Sequence, residues 1–251
     1  MSTAAGTKMA NVGISWPQAE YIGSGAGYFT SKFSLSEESI TYVTPGVIES
    51  IKSIPVKAGK AFTIAEYGCA DGGTSMPLMY ACVKELKNLN GKELEVHINY
   101  EDMPENDYNS LFYFSQGLLP GPSSYLTDFP NVFVSATGTN FYDQCFPSGS
   151  VNFGFSCMAA QWLSRKPCNL TKALLHKFSE VLDEKNEFSR QAETDWERFL
   201  LMRARELSEG GKLVLVMFLD REDCKHCYSL YNGLYKVLEG MAKDNIITEM
   251  R

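Results

Sequence analysis

Residues 62–74, Phe-Thr-Ile-Ala-Glu-Tyr-Gly-Cys-Ala-Asp-Gly-Gly-Thr, run an apolar strand directly into a loop holding Gly68, Gly72 and Gly73. The apolar positions that follow (Met76, Leu78, Met79, Ala81, Cys82, Val83 and Leu86) recur at helical spacing. Asn88-Leu89-Asn90-Gly91 then supplies a helix stop. A second strand, residues 93–100, ends beside Glu101 and Asp102. A strand, a crossover helix and another strand in that order imply a parallel pair, whose faces must be covered by helices.

The alternation continues along the chain. Residues 131–136, 151–156 and 212–219 read as the third, fourth and fifth strands, and 109–116 as a short helix. Ile40, Val43, Val47, Ile48 and Ile51 predict a helix over 35–53 that breaks near Pro45. A long helical region precedes the fifth strand, with Trp196, Phe199, Leu200, Arg203 and Leu207 on one face and Gly210-Gly211 as its stop. Thr194 and Glu197 have the spacing of a capping box within it. A last helix is expected over 228–243. The fold class is therefore α/β: a Rossmann-like, doubly wound, mostly parallel sheet with helices on both faces. Residues 1–251 are expected to form one domain, with 1–27 as a flexible N-terminal arm bearing Gly23, Gly25 and Gly27.

Bulk properties narrow the function classes. A chain of 251 residues, 44% of them hydrophobic, can bury one substantial core. A net charge of −7 and a pI near 5.1 argue against a nucleic-acid partner, which needs a clustered basic face. No apolar run is long enough for a membrane span, and the N-terminus lacks an apolar signal core. Seven cysteines, an odd number, fit reduced thiols and a cytoplasmic location. Cys224 and Cys227 have CxxC spacing but no second pair follows, so no metal is expected.

In a doubly wound sheet, ligands sit beyond the carboxyl ends of the strands. Gly68, Gly72 and Gly73 would let backbone approach a ligand there, and Asp102 could accept both hydroxyls of a ribose, at roughly 1.5–3 kcal/mol per charged hydrogen bond. The loop is neither GxGxxG nor a phosphate-binding Gly-Lys-Ser/Thr loop, which points away from nicotinamide cofactors and toward one without phosphate, S-adenosylmethionine.

Residues 102–113, Asp-Met-Pro-Glu-Asn-Asp-Tyr-Asn-Ser-Leu-Phe-Tyr, resemble the Asp-Leu-Pro-x-Asn-Asp-Phe-Asn-x-Leu-Phe motif of the SABATH methyltransferases. Ile64–Cys69, Asn140-Phe141-Tyr142 with Phe146-Pro147, and Ser156-Cys157 through Gln161-Trp162-Leu163-Ser164 resemble further motifs of that family, in the same order. The likeness extends over residues 25–221. It implies transfer of a methyl group from S-adenosylmethionine to the carboxylate of a small-molecule acid. The family roles, carried to matching positions, imply that Tyr28, Gly68, Cys69, Asp102, Met103, Asn140, Phe141, Ser156 and Cys157 contact the cofactor. Of these, Gly68 and Cys69 line its methionyl part, Asp102 its ribose, and Met103, Asn140 and Phe141 its adenine. Gln161 and Trp162 imply the substrate-contacting pair. Lys32 falls where the family often has a cofactor-contacting serine.

Plainer roles compete at several positions: a core tryptophan for Trp162, a loop anchor for Phe141, a turn cap for Asp102, and an unordered arm for Tyr28. His97 reads as a core histidine and His176 as a helix-surface residue. An ionised carboxylate needs no general base, so the resemblance implies no obligatory catalytic residue. The chain also departs from the family. Glu66 replaces an aspartate, and Ala70-Asp71-Gly72-Gly73-Thr74 replaces Ser-Ser-Gly-Pro-Asn, which puts the Asp71 charge near the methionyl end. The family continues past the position of Arg251 with a helical cap and further strands. The expected sheet then has an exposed edge, which suits a homodimer. A catalytically inactive methyltransferase-like binding protein is the alternative.

Overall fold

The computed structural model describes residues 27–32, 34–171, 173–217 and 225–247. Residues 1–26 of the arm expected over 1–27, Cys224 and the end of the expected fifth strand lie outside the described residues.

The elements are α1 (Tyr28–Lys32), α2 (Ser34–Lys52), β1 (Phe62–Tyr67), α3 (Met76–Asn90), β2 (Val96–Asp102), α4 (Tyr108–Ser115), α5 (Tyr125–Asp128), β3 (Val132–Gly138), β4 (Val151–Cys157), α6 (Leu182–Glu206), β5 (Leu207–Val216) and α7 (Lys225–Lys243), with a 3-10 turn at His176–Phe178. The five strands form one parallel sheet in the order β3-β2-β1-β4-β5. The strand order reverses between β1 and β4, which makes their carboxyl ends the natural crevice of the fold.

Period-two alternation assigns each strand residue to a face. Phe62, Ile64, Val96, Ile98, Tyr100, Phe153 and Phe155 join Val47 and Ile51 of α2 and Met79, Val83 and Leu86 of α3 in the main core. Ala65 and Tyr67 face the other way and cluster with Phe146 and with Val151 at the start of β4. There α6 covers the sheet, with the Phe199 ring edge-on to Tyr67 at 6.4 Å. Helices on both faces follow from the parallel pairing, as expected.

Four expectations need correction. The α2 helix does not break at Pro45, which lies within it; Thr44 Oγ1 donates to Ile40 O (2.8 Å) in the turn that the proline weakens. Gly210-Gly211 does not stop α6. That helix ends at Glu206, β5 starts at once, and Gly210 (φ +75°) sits where the β4–β5 register shifts between Val151 and Phe153. The face predicted for α6 is buried only in part. Trp196 and Leu200 are half-exposed, whereas Gln191, Asp195, Phe199 and Arg203 are buried at i, i+4 spacing with Glu206. Thr194 is mid-helix, its Oγ1 donating to Arg190 O (2.9 Å) rather than capping.

Candidate functional site

A cavity of about 340 Å³ opens at the carboxyl ends of β1, β2 and β4. Its floor is the turn after β1. Gly68 (φ +75°) lets the chain leave the strand there, and a Cβ at this position would lie 2.2 Å from Ala159 Cβ, so only glycine fits. Gly68 N and Cys69 N both donate to Glu101 O, at 2.8 and 3.1 Å. Asp102 joins the two strand ends, its carboxylate accepting from Ala70 N (2.7 Å) and from Met103 N (2.8 Å). Asn106 Nδ2 returns a bond to Ala70 O (2.6 Å). Asp102 therefore does cap its turn, and it also lines the cavity. The two roles are compatible because each carboxylate oxygen has a further lone pair.

Burial governs the acids and thiols here. Glu66 accepts from Ser75 Oγ (2.7 Å), yet desolvation pushes its carboxyl up to about 8. Desolvation also raises Asp102, opposed by its two backbone donors. Burial pushes Cys69 well up and Cys157 up to about 12, so both are neutral thiols rather than nucleophiles.

The loop between β3 and β4 carries Asn140, Phe141 and Tyr142 to the cavity. It is fastened from below by α6. Arg203 bonds the carbonyls of Phe141 and, at 2.9 Å, Asp143. Glu206 accepts from Cys145 N (2.5 Å), Phe146 N (3.1 Å) and Tyr67 OH (2.6 Å). Arg203 and Glu206 pair bidentately, Nε to Oε2 at 2.9 Å and Nη2 to Oε1 at 2.8 Å, and the guanidinium lies 4.2 Å from the Tyr67 ring centroid. A second buried acid of α6, Asp195, holds the segment after β4 by accepting from Ser164 N (2.8 Å) and Ser164 Oγ (2.6 Å). Leu163 and Ser164 line the cavity beside Trp162.

Of the residues singled out in the sequence, Gly68, Cys69, Asp102, Met103, Asn140, Phe141, Cys157 and Trp162 line this cavity, and Tyr28, Ser156 and Gln161 do not. Tyr28 begins α1 and is 42% exposed, while its neighbour Phe29 turns inward, because adjacent helical residues point about a quarter-turn apart. Ser156 is buried and donates to Tyr67 O (2.8 Å), while Cys157 lines the cavity; neighbours on a strand face opposite ways. Gln161 has a buried Oε1 that no protein group bonds. Trp162 is 64% exposed, which removes its reading as a core residue. Lys32 is exposed and apart from the cavity. Asp71 is 2% exposed and faces Thr30 rather than the cavity. His97 is half-buried, its Nε2 3.0 Å from Ser135 Oγ, and the His176 ring stacks on Phe188 at 4.8 Å. Sequence reasoning missed Phe29, Thr74, Met158 and Ala159 in the lining. Each adjoins a signal: Phe29 is next to Tyr28, Thr74 ends the glycine loop, and Met158 and Ala159 lie within the 156–164 motif. Among the described residues no cluster of metal-ligating side chains occurs, and no helix is long and apolar enough to cross a membrane.

Comparison with known proteins agrees with this architecture. The loganic acid methyltransferase solved with SAH superposes with a TM-score of 0.70 at 22% identity, over 90% of this chain and 67% of that one, which shows the fold. A benzoic acid/salicylic acid carboxyl methyltransferase of Petunia hybrida is 29% identical over 198 residues, 74% of this chain and 55% of that protein. Jasmonate O-methyltransferase of Arabidopsis thaliana is 30% identical over 220 residues, with the same coverage of 74% and 55%. The chain thus spans about half the length of the curated relatives it matches. The family model of SAM-dependent carboxyl methyltransferases matches residues 19–251, and the chain belongs to that family.

Proposed function

We propose that the cavity binds S-adenosylmethionine and that the protein transfers its methyl group to the carboxylate of a small-molecule acid. One observation carries the reading: a single cavity at the strand-order switch gathers Gly68, Asp102, Met103, Phe141 and Trp162 and, among the described residues, is lined by no basic side chain. A dinucleotide or nucleotide phosphate would meet no counter-charge there. A cofactor bearing a sulfonium and an ammonium would meet the Asp102 carboxylate instead. The aromatic and thioether groups of Phe141 and Met103 suit a purine face.

In this reading the Asp102 carboxylate accepts from the ribose hydroxyls, Met103, Asn140 and Phe141 flank the adenine, and Gly68 and Cys69 border the methionyl part. Tyr28, Ser156 and Gln161 act behind the lining. The bound cofactor supplies an electrophilic methyl group. The residues of the chain supply position: Trp162 offers an exposed ring at the cavity, and the Asp195–Ser164 bonds fix the backbone beside it. Holding reacting groups in line contributes on the order of 7–11 kcal/mol, and an ionised acceptor needs no base. The outer edge of β5 pairs with no strand among the described residues, and the reading includes a homodimer in the cytoplasm, testable by light scattering.

Titration calorimetry with S-adenosylmethionine and S-adenosylhomocysteine, followed by methyl transfer to a panel of aromatic and aliphatic acids, tests the proposal. Saturable binding with turnover of at least one acid is expected. No binding of either cofactor form would overturn it. Binding without turnover of any acid would replace it by a cofactor-binding protein without catalysis.

A further inference from the structure

The α1 helix has five residues and buries none of them. A helix that short has no stability of its own in water, so its place is set by what it touches. Its central residue is fastened at two points to one carboxylate: Thr30 N donates to Asp71 Oδ2 (2.9 Å) and Thr30 Oγ1 donates to Asp71 Oδ1 (2.5 Å). Asp71 also accepts weakly from Gly73 N (3.3 Å), which fixes the carboxylate within its own loop. Just before α1, Gly27 N donates to Ser110 Oγ (2.8 Å), itself bonded to Asp107 Oδ2 (2.5 Å).

The loop is shaped to receive this contact. A Cβ on Gly73 would lie 2.3 Å from Thr30 Oγ1 and 2.8 Å from the Phe114 ring, so the space a side chain would take at residue 73 is filled by α1 and α4. On either side of the contact are residues of the cavity wall, Phe29 from α1 and Thr74 from the loop. The Asp71–Thr30 pair thus joins two segments distant in sequence at the point where both reach the cavity. It also lies within residues 70–74, where the chain departs most from the family motif.

We infer that Asp71 is a positioning residue: through Thr30 its carboxylate clamps α1 against the glycine loop, seats Phe29 on the cavity, and sets the rate at which a nucleoside cofactor leaves. The inference rests on the cofactor reading above. Asp71 does not line the cavity, so it acts through α1 rather than by touching the ligand.

The test compares the unmodified chain with T30V, T30S and D71N. Stopped-flow displacement of S-adenosylhomocysteine gives association and dissociation rates, and hydrogen exchange at the Thr30 amide is followed without cofactor. T30V keeps size and the backbone bond but loses the hydroxyl bond. It should speed dissociation about tenfold, the scale of one hydrogen bond to a charged group, with little change in association. T30S should restore the slow rate. D71N keeps one acceptor but removes the charge that tightens both bonds, so it should raise the exchange rate of the Thr30 amide in the free protein. A dissociation rate in T30V within twofold of the unmodified chain, or a lower melting temperature with unchanged rates, would overturn the clamp. Should the unmodified chain bind no S-adenosylhomocysteine, the cofactor reading fails first; the exchange measurement then decides whether the clamp exists, and an unprotected Thr30 amide refutes it.

Discussion

The two walls of the cavity are held by opposite means. On one side α1 and the glycine loop meet through hydrogen bonds to a single acid, Asp71, and α1 itself buries nothing. On the other, the loop bearing Asn140 and Phe141 rests on Arg203 and Glu206, which are 1% and 0% exposed, with all three guanidinium nitrogens and both carboxylate oxygens hydrogen-bonded. A part-buried contact made by a helix that buries none of its residues opens at lower cost than a fully buried one. A buried ion pair resists opening, because separating it strands a charge in a low dielectric. The comparison suggests that one wall moves while the other stays fixed.

Breaking the fixed wall should have the largest effect. Arg203→Met removes the cation, strands Glu206 and releases the carbonyls of Phe141 and Asp143. Urea unfolding should show a loss of about 3–5 kcal/mol. Because the stranded charge causes most of it, adding Glu206→Gln should recover part of that loss. If the single substitution costs less than about 1 kcal/mol, the wall is not held as described.

Acidity sharpens the contrast, since each wall hides one perturbed carboxyl. Glu66 lies under the glycine loop, pushed by burial up to about 8. Glu101, fully buried with neither oxygen hydrogen-bonded, lies near Arg203 and Glu206 on the other face and is pushed by burial up to about 9. Both folded-state values exceed those of an unfolded chain. Between the ordinary carboxylate range and these values the folded state binds more protons, so stability falls as pH rises, by up to about 1.4 kcal/mol per pH unit for each group. Glu66→Gln should flatten the decline up to about pH 8, and Glu101→Gln the part that persists to about pH 9. A stability profile in the unmodified chain that is flat from pH 5 to 9 would refute both assignments.

The movable wall was far more legible in the sequence than the fixed one. Period-two apolar runs and glycine punctuation mark β1, its loop and α3, because burial on both faces leaves a continuous apolar strand. The fixed wall is built from the polar face of α6. Gln191, Asp195 and Glu206 are buried there beside Phe199 and Arg203; the apolar pattern picks out the last two but sets Trp196 and Leu200 with them and reads the other three as solvent-facing. Nothing local in the chain announces that a polar stripe will be buried, since the partners of Asp195 lie 31 residues away and those of Arg203 and Glu206 some sixty. Asp71 was legible as a residue but not in direction, because its partner Thr30 lies 41 positions earlier.

Asp102 stands between the walls and should show a middle-sized effect. Asp102→Ala removes the acceptor proposed for the ribose and should weaken S-adenosylhomocysteine binding more than tenfold by calorimetry. It also frees Ala70 N and Met103 N, so some loss of stability should accompany it. An unchanged dissociation constant would mean that the carboxylate only caps its turn.

The smallest effect on the fold is expected at Trp162, and this substitution separates the cofactor from the acceptor. Its ring is 64% exposed, and its backbone is held independently of the ring: the amide donates to Ala159 O (3.0 Å) and the carbonyl accepts from Tyr142 OH. Trp162→Ala should therefore change stability by no more than about 0.5 kcal/mol. If the ring meets the acid to be methylated, KM for that acid rises while the dissociation constant of S-adenosylhomocysteine stays within about twofold, since the proposed adenine and ribose contacts lie at Asp102, Met103 and Phe141. Equal weakening of both ligands would place the ring at the cofactor instead, and the acceptor would then have to be sought beside Leu163 and Ser164, on the segment that Asp195 holds in place.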